Sequence, residues 1–99
     1  MTLVSIRSDA RRLLSARKPF QTHGALYADD FPRSETGRMP QEWAEAYRSD
    51  REDPGISYAV YSYATPIAWV RCDGVPVIPE VGYSVTTTRH QNLCRAWLE

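Results

Sequence analysis

His90 is the residue best placed by type for chemistry, because Tyr83, Ser84, Thr86 and Thr87 lie close before it. A histidine beside a hydroxyl can serve as a general base. A structural account competes with that role. His90 shares a helical stripe with Leu93, Cys94 and Trp97, so a partly buried imidazole with one satisfied nitrogen fits the same pattern. A small enzyme with His90 as base is therefore an alternative reading, since triads are recognised by geometry rather than by sequence adjacency. A metal site would draw on His90 and Cys94, one helical turn apart, with Cys72 and His23. Structural zinc uses paired Cys-x-x-Cys or Cys/His knuckles, and none is present, so no metal is expected. The five glycines stand singly, without a phosphate-cradling loop, and no cofactor is expected. Cys72 and Cys94 are expected to be two reduced, partly buried thiols.

Two blocks stand out for aromatic and hydroxyl content with little charge: Ser62-Tyr63-Ala64-Thr65-Pro66-Ile67-Ala68-Trp69 and Tyr83-Ser84-Val85-Thr86-Thr87-Thr88-Arg89-His90-Gln91. Tyr, Trp and Arg dominate interface hot spots, which makes recognition of a protein partner the leading expectation. Nucleic acid is the alternative partner, with Tyr58, Tyr61, Tyr63 and Trp69 as stacking platforms and Arg71, Arg89 and Arg95 for phosphates. The net charge of zero removes the usual electrostatic footprint for that role and for anionic membranes. Part of both blocks has a structural account. Thr65-Pro66 reads as a strand break, Thr88 and Gln91 as a capping box, and Trp69 as a core anchor. Six residues are left over, and they form the expected binding site: Tyr63, Thr65, Tyr83, Thr86, Thr87 and His90.

The elements that must position these residues follow from periodicity. The chain has 99 residues with 42% hydrophobic and 24% charged side chains, as expected for one small globular domain. Nine basic and nine acidic residues fall in 1–53 and three of each in 54–99, so the second half reads as the core-forming unit. Eleven of the twelve basic residues are Arg, a bias that reads as GC-rich coding. Leu3, Ile6, Ala10, Leu13 and Leu14 predict an amphipathic helix, capped by Thr2 or Ser5 and ended by Lys18-Pro19. Phe20–His23 and Ala25–Ala28 read as short extended pieces, and 29–38 as a surface loop. Pro40 opens a helix carrying Trp43 and Tyr47 that ends by Asp50. Strands are expected at Ile56–Tyr63, Ile67–Arg71, Val75–Ile78 across an Asp73-Gly74 turn, and Tyr83–Thr86. A final helix follows Thr88. No apolar run approaches the ~20 residues that cross a bilayer. Met1–Ile6 lacks the pattern of a secretory signal, so a cytoplasmic setting is expected.

The expected fold is α+β: a three- or four-stranded antiparallel sheet from about Ile56 to Thr86, covered by the final helix and completed by the two earlier ones. Its expected core is Leu13, Trp43, Val60, Ile67, Trp69, Val77, Val85, Leu93 and Trp97.

The two blocks also resemble the core of an uncharacterised family of short proteins of actinobacterial phages, which carry Ser-Tyr-x-Thr-Pro-Ile-Ala-Trp before Tyr-Ser-x-Thr-Thr-x-x-His-Gln. The likeness covers a third to a half of the chain and little of its first half. It implies a phage or prophage origin, and brings no activity or catalytic residue with it. The resulting expectation is a small non-enzymatic accessory protein that binds a host or phage macromolecule in the host cytoplasm.

Overall fold

The computed structural model describes residues 2–3, 9–22 and 24–98. Six strands and three helices follow in the order β1 (Thr2–Leu3), α1 (Asp9–Ala16), β2 (Phe20–Gln21), β3 (Leu26–Asp29), α2 (Gln41–Glu52), β4 (Ile56–Ser62), β5 (Thr65–Arg71), β6 (Pro76–Val77) and α3 (Val85–Trp97). The strands form one sheet in sequence order. β2 to β6 are antiparallel to their neighbours, while β1 lies parallel to β2 at the edge. The sheet is thus wider than a meander confined to the second half, because the first half supplies three of its strands.

Alternation along β4 explains why this strand is apolar on both faces. Tyr58 and Val60 join Ile67, Ala68 and Val70 in a cluster with Leu26, Ala28, Ala10 and Leu14, and Cys94 and Leu98 of α3. Ala59, Tyr61 and Trp69 join a second cluster with Met39, Ala44 and Tyr47 of the α2 side. The molecule is therefore three-layered, with α1 and α3 on one face of the sheet and α2 on the other. On the α2 face Tyr47 and Trp69 meet edge to face at 5.2 Å, and Tyr27 stacks on Tyr61 at 4.9 Å. Trp69 Nε1 donates to Asp50 Oδ2 at 2.8 Å, so even this polar atom is paired inside the layer.

Several expectations change. Leu3 lies in β1 and not on a helix, paired through its backbone with Gln21, and Thr2 is likewise in β1, paired with Phe20. Ile6, Ser5 and His23 fall outside the described residues. Thr65-Pro66 is not a break: it begins β5, after a two-residue turn at Tyr63-Ala64 with φ of 52° and 66°. Ser62 and Thr65 close that turn. The next residue along β5 then turns its backbone nitrogen away from β4, so Pro66 removes no bond from the β4–β5 ladder. β6 pairs only with Trp69 and Val70 and asks nothing of Pro66 either. Tyr83–Thr86 is not a strand. α3 starts at Val85 because its cap is Ser84, four residues ahead of the expected Thr88, with Ser84 Oγ accepting from Thr87 N.

Of the expected core, Val60, Ile67 and Trp69 are fully buried, and Leu13, Trp43, Val77 and Leu93 pack against it part-buried. Val85 and Trp97 are exposed. Val85 opens α3 in solvent, and Trp97 lies under the Arg11 guanidinium, 5.8 Å from its ring centre.

Candidate functional site

Three stretches far apart in sequence meet at the tip of the β4–β5 hairpin. The first is the tip itself, where Ser62 and Thr65 turn inward and Tyr63 projects outward, 63% exposed. The second is the loop before α2. Arg38 N donates to Thr65 Oγ1 at 2.9 Å, and Gly37 sits so close that a Cβ there would overlap Thr65 Oγ1 and approach Thr65 Cα to 2.8 Å. With φ of 53°, Gly37 needs the freedom of glycine twice over. The third is the segment 81–84 that leads into α3. Buried Gln91 holds it from behind, donating Nε2 to Pro79 O at 3.3 Å and to Val81 O at 3.1 Å. Gln91 is thus a buried strut for this wall and not a member of a capping box.

Between these stretches lies a cleft of about 690 Å³, whose lining includes Arg38, Tyr63, Thr65, Tyr83, Ser84, Thr86 and Thr87, with Ser62 at its inner end. Five of the six candidate residues therefore share one surface. Their exposure divides them. Tyr63 and Thr86 are open to solvent, Tyr83 is half-buried, and Thr65 and Thr87 are buried. His90, the sixth, is buried and stands behind the inner end without lining the cleft.

His90 is nonetheless joined to the cleft by side chains. Its Nδ1 lies 2.8 Å from Ser62 Oγ, which lies 3.0 Å from Thr87 Oγ1, and Ser84 Oγ donates to Thr87 Oγ1 at 3.1 Å. The four groups make an unbroken hydrogen-bonded row from the imidazole to the helix cap. Ser62 comes from the first block, and the other three come from the second. Burial lowers the His90 pKa from its ordinary value, which favours the neutral imidazole. Burial also raises Tyr83, keeping its phenol protonated.

Ser62 and Arg38 were not among the expected site residues. Ser62 carried a usable signal: it follows Tyr58 and Val60 at the spacing of an inward-facing strand position, and a hydroxyl buried there needs a partner. Arg38 had no such signal, since it reaches the cleft through a loop.

Tyr58, Tyr61 and Trp69, named above as stacking platforms, are buried in the two core clusters, which leaves Tyr63 as the one of the four presented to solvent. Arg71 lies 3.0 Å from Asp73 and 4.0 Å from Asp50. Cys94 is buried, its thiol pushed up to about 12 by burial, and Cys72 is an exposed free thiol. Among the described residues no cluster of three or more His, Cys, Asp or Glu side chains is placed to hold a metal ion. No described helix is long and apolar enough to cross a membrane.

Comparison with known proteins places this geometry within a family but not beside a characterised relative. No curated protein and no solved structure matches the chain. The model of a family of unknown function, DUF8033, matches residues 18–96, from the end of α1 almost to the end of α3, and includes every residue of the cleft. The chain belongs to this family of unknown function.

Proposed function

We propose that the protein is a small non-enzymatic accessory protein of phage type, acting in the cytoplasm of the host cell by binding a host or phage protein through the hairpin-tip cleft. The observation that carries this reading is the convergence of Tyr63, Thr65, Tyr83, Thr86 and Thr87 on one open surface. An exposed tyrosine held at a left-handed hairpin position offers a large contact area with few rotatable bonds. The polar side chains beneath it are already hydrogen-bonded, so a partner desolvates them at little cost. The phage-type origin, and with it the setting in a host cell, rests on the resemblance of the two blocks that build the cleft.

The test is a photoreactive amino acid placed at Tyr63 of the full chain in a host lysate, with the exposed Arg12 of α1, which does not line the cleft, as the control position. A discrete protein adduct from position 63 that is absent from position 12 and weakened by Tyr83→Ala supports the reading. Equal adducts from both positions, or an adduct removed by nuclease, overturn it.

A further inference from the structure

We infer that the cleft accepts a carboxylate at Thr87 and that it does so only when His90 carries a proton on Nδ1. The inference rests on the cleft being a binding site, and it names the group bound and the switch that governs it.

The protons available to the row set its direction. Each hydroxyl has one to donate. Ser84 gives its proton to Thr87. If His90 Nδ1 is bare, it must receive the proton of Ser62, and Ser62 must then receive that of Thr87. All three hydroxyl protons are consumed within the row, and the inner cleft presents only lone pairs. If Nδ1 carries a proton, the order reverses. His90 donates to Ser62, Ser62 donates to Thr87, and Thr87 now accepts from both neighbours. Its own proton is left without a partner in the row, and the space beside Thr87 is the cleft.

With only water in the cleft, the second arrangement leaves the proton of a side chain that is 4% exposed to a weaker acceptor than a charged group, so the bare Nδ1 form is favoured. An acceptor lodged in the cleft supplies the missing partner and favours the second arrangement. Binding and protonation of Nδ1 are therefore linked, and the linkage is reciprocal. The proton comes from solvent as pH falls, or from Nε2 by a change of tautomer.

The acceptor is an anion because the cleft carries one charged side chain, Arg38, and no acidic one among its lining residues, and the anionic side chain a protein partner supplies is a carboxylate. The amino end of α3, thirteen residues long, adds a field of the same sign. The other charged and titratable groups around His90 leave this balance undisturbed. On α3, Arg89 is exposed, Arg95 donates to Asn92 Oδ1, and Cys94 is a neutral thiol. On β4, Tyr58 donates its hydroxyl to Lys18 O. On α1, Asp9 pairs with Arg12, and Arg11 covers Trp97. Burial is the sole cause lowering His90.

The experiment is titration of the full chain with acetate while the ring nitrogens of His90 are followed by nitrogen-15 NMR. In the free protein, above the titration of His90, Nδ1 should be unprotonated. Acetate should convert it to the protonated form, with affinity rising by up to about tenfold per pH unit as the pH falls. Thr87→Val keeps the shape of the side chain and the Thr87 N to Ser84 Oγ cap, and should abolish the response, whereas Arg95→Ala should retain it. A protonated Nδ1 in the free wild-type protein overturns the inference without recourse to any variant. So does acetate binding that Thr87→Val leaves intact, or acetate that fails to bind at any pH. The crosslinking at Tyr63 is read independently, so loss of this switch and loss of the binding surface are separate outcomes.

Discussion

The two faces of the sheet both bury polar atoms, and they close them off in different ways. On the α2 face the phenols of Tyr47 and Tyr61 lie 3.2 Å apart and clasp the backbone of Arg33. Tyr47 donates to its carbonyl at 2.7 Å, and Tyr61 accepts from its N–H at 2.8 Å. Main-chain groups have fixed roles, so this arrangement has one direction only. It fastens the loop before α2 to the sheet, and a second fastener, Trp69 to Asp50, fixes α2 itself. On the α3 face Ser62, Thr87, Ser84 and His90 bond to one another through side chains whose protons can be redistributed. Buried polar side chains can thus lock a loop or leave a choice, and what decides it is whether their partners are backbone or side chain.

Breaking this contrast begins with the apolar mass of the α2 face. Trp69→Ala removes the largest fully buried side chain, and a loss of about 3–5 kcal/mol is expected by analogy with large core truncations. Urea unfolding measures it, and a loss below 1 kcal/mol would mean that the α2 layer does not anchor the fold.

Next in size is Ser62→Ala, which leaves His90 Nδ1 and Thr87 Oγ1 facing a methyl group. A loss of roughly 1–3 kcal/mol is expected from the stranded groups. The same unfolding assay on Tyr61→Phe sharpens the comparison, since that change strands the Arg33 N–H at a part-buried site. Only Ser62→Ala should also alter the ring-nitrogen signals of His90.

The smallest expected effect is on pH dependence. Burial places the folded His90 below its ordinary 6.5. Between the folded and unfolded values the unfolded chain binds more protons, so stability falls as the pH drops below about 6.5 and levels off beneath the folded value. His90→Asn should flatten this part of the profile relative to wild type. A wild-type stability that rises on acidification over the same window would show the imidazole to be better stabilised charged than neutral.

Much of this organisation is legible in the residues. The helix with Trp43 and Tyr47 lies where Pro40 and the apolar spacing put it, the Asp73-Gly74 turn joins β5 to β6, and Val60, Ile67 and Trp69 are core. The misreadings share a cause, which is that tertiary pairing overrode local preference. Val85-Thr86-Thr87-Thr88 has the composition of a strand, but Ser84 caps it as a helix whose inner side finds Ser62 across the sheet. Leu3 continues a helical spacing, yet its backbone is drawn to the edge of β2. The five residues that line the cleft were marked by their excess over what a core needs. Their connection to His90 was hidden because it runs through Ser62, a small residue on a strand dense with larger ones.

Ser15 of α1 donates its hydroxyl to the carbonyl of Trp97, 82 positions away, so the earliest and latest helices are tied together over one face of the sheet. During synthesis, β4 and its hairpin leave the ribosome well before α3 does. Until α3 docks, one side of the sheet lacks its cover, Ser62 lacks His90, and the cleft has no inner wall. Chains that complete their cores through such distant contacts fold more slowly than those closed by local ones. The cleft accordingly forms only once α3 has docked, and a chain that stalls before α3 presents apolar sheet in its place.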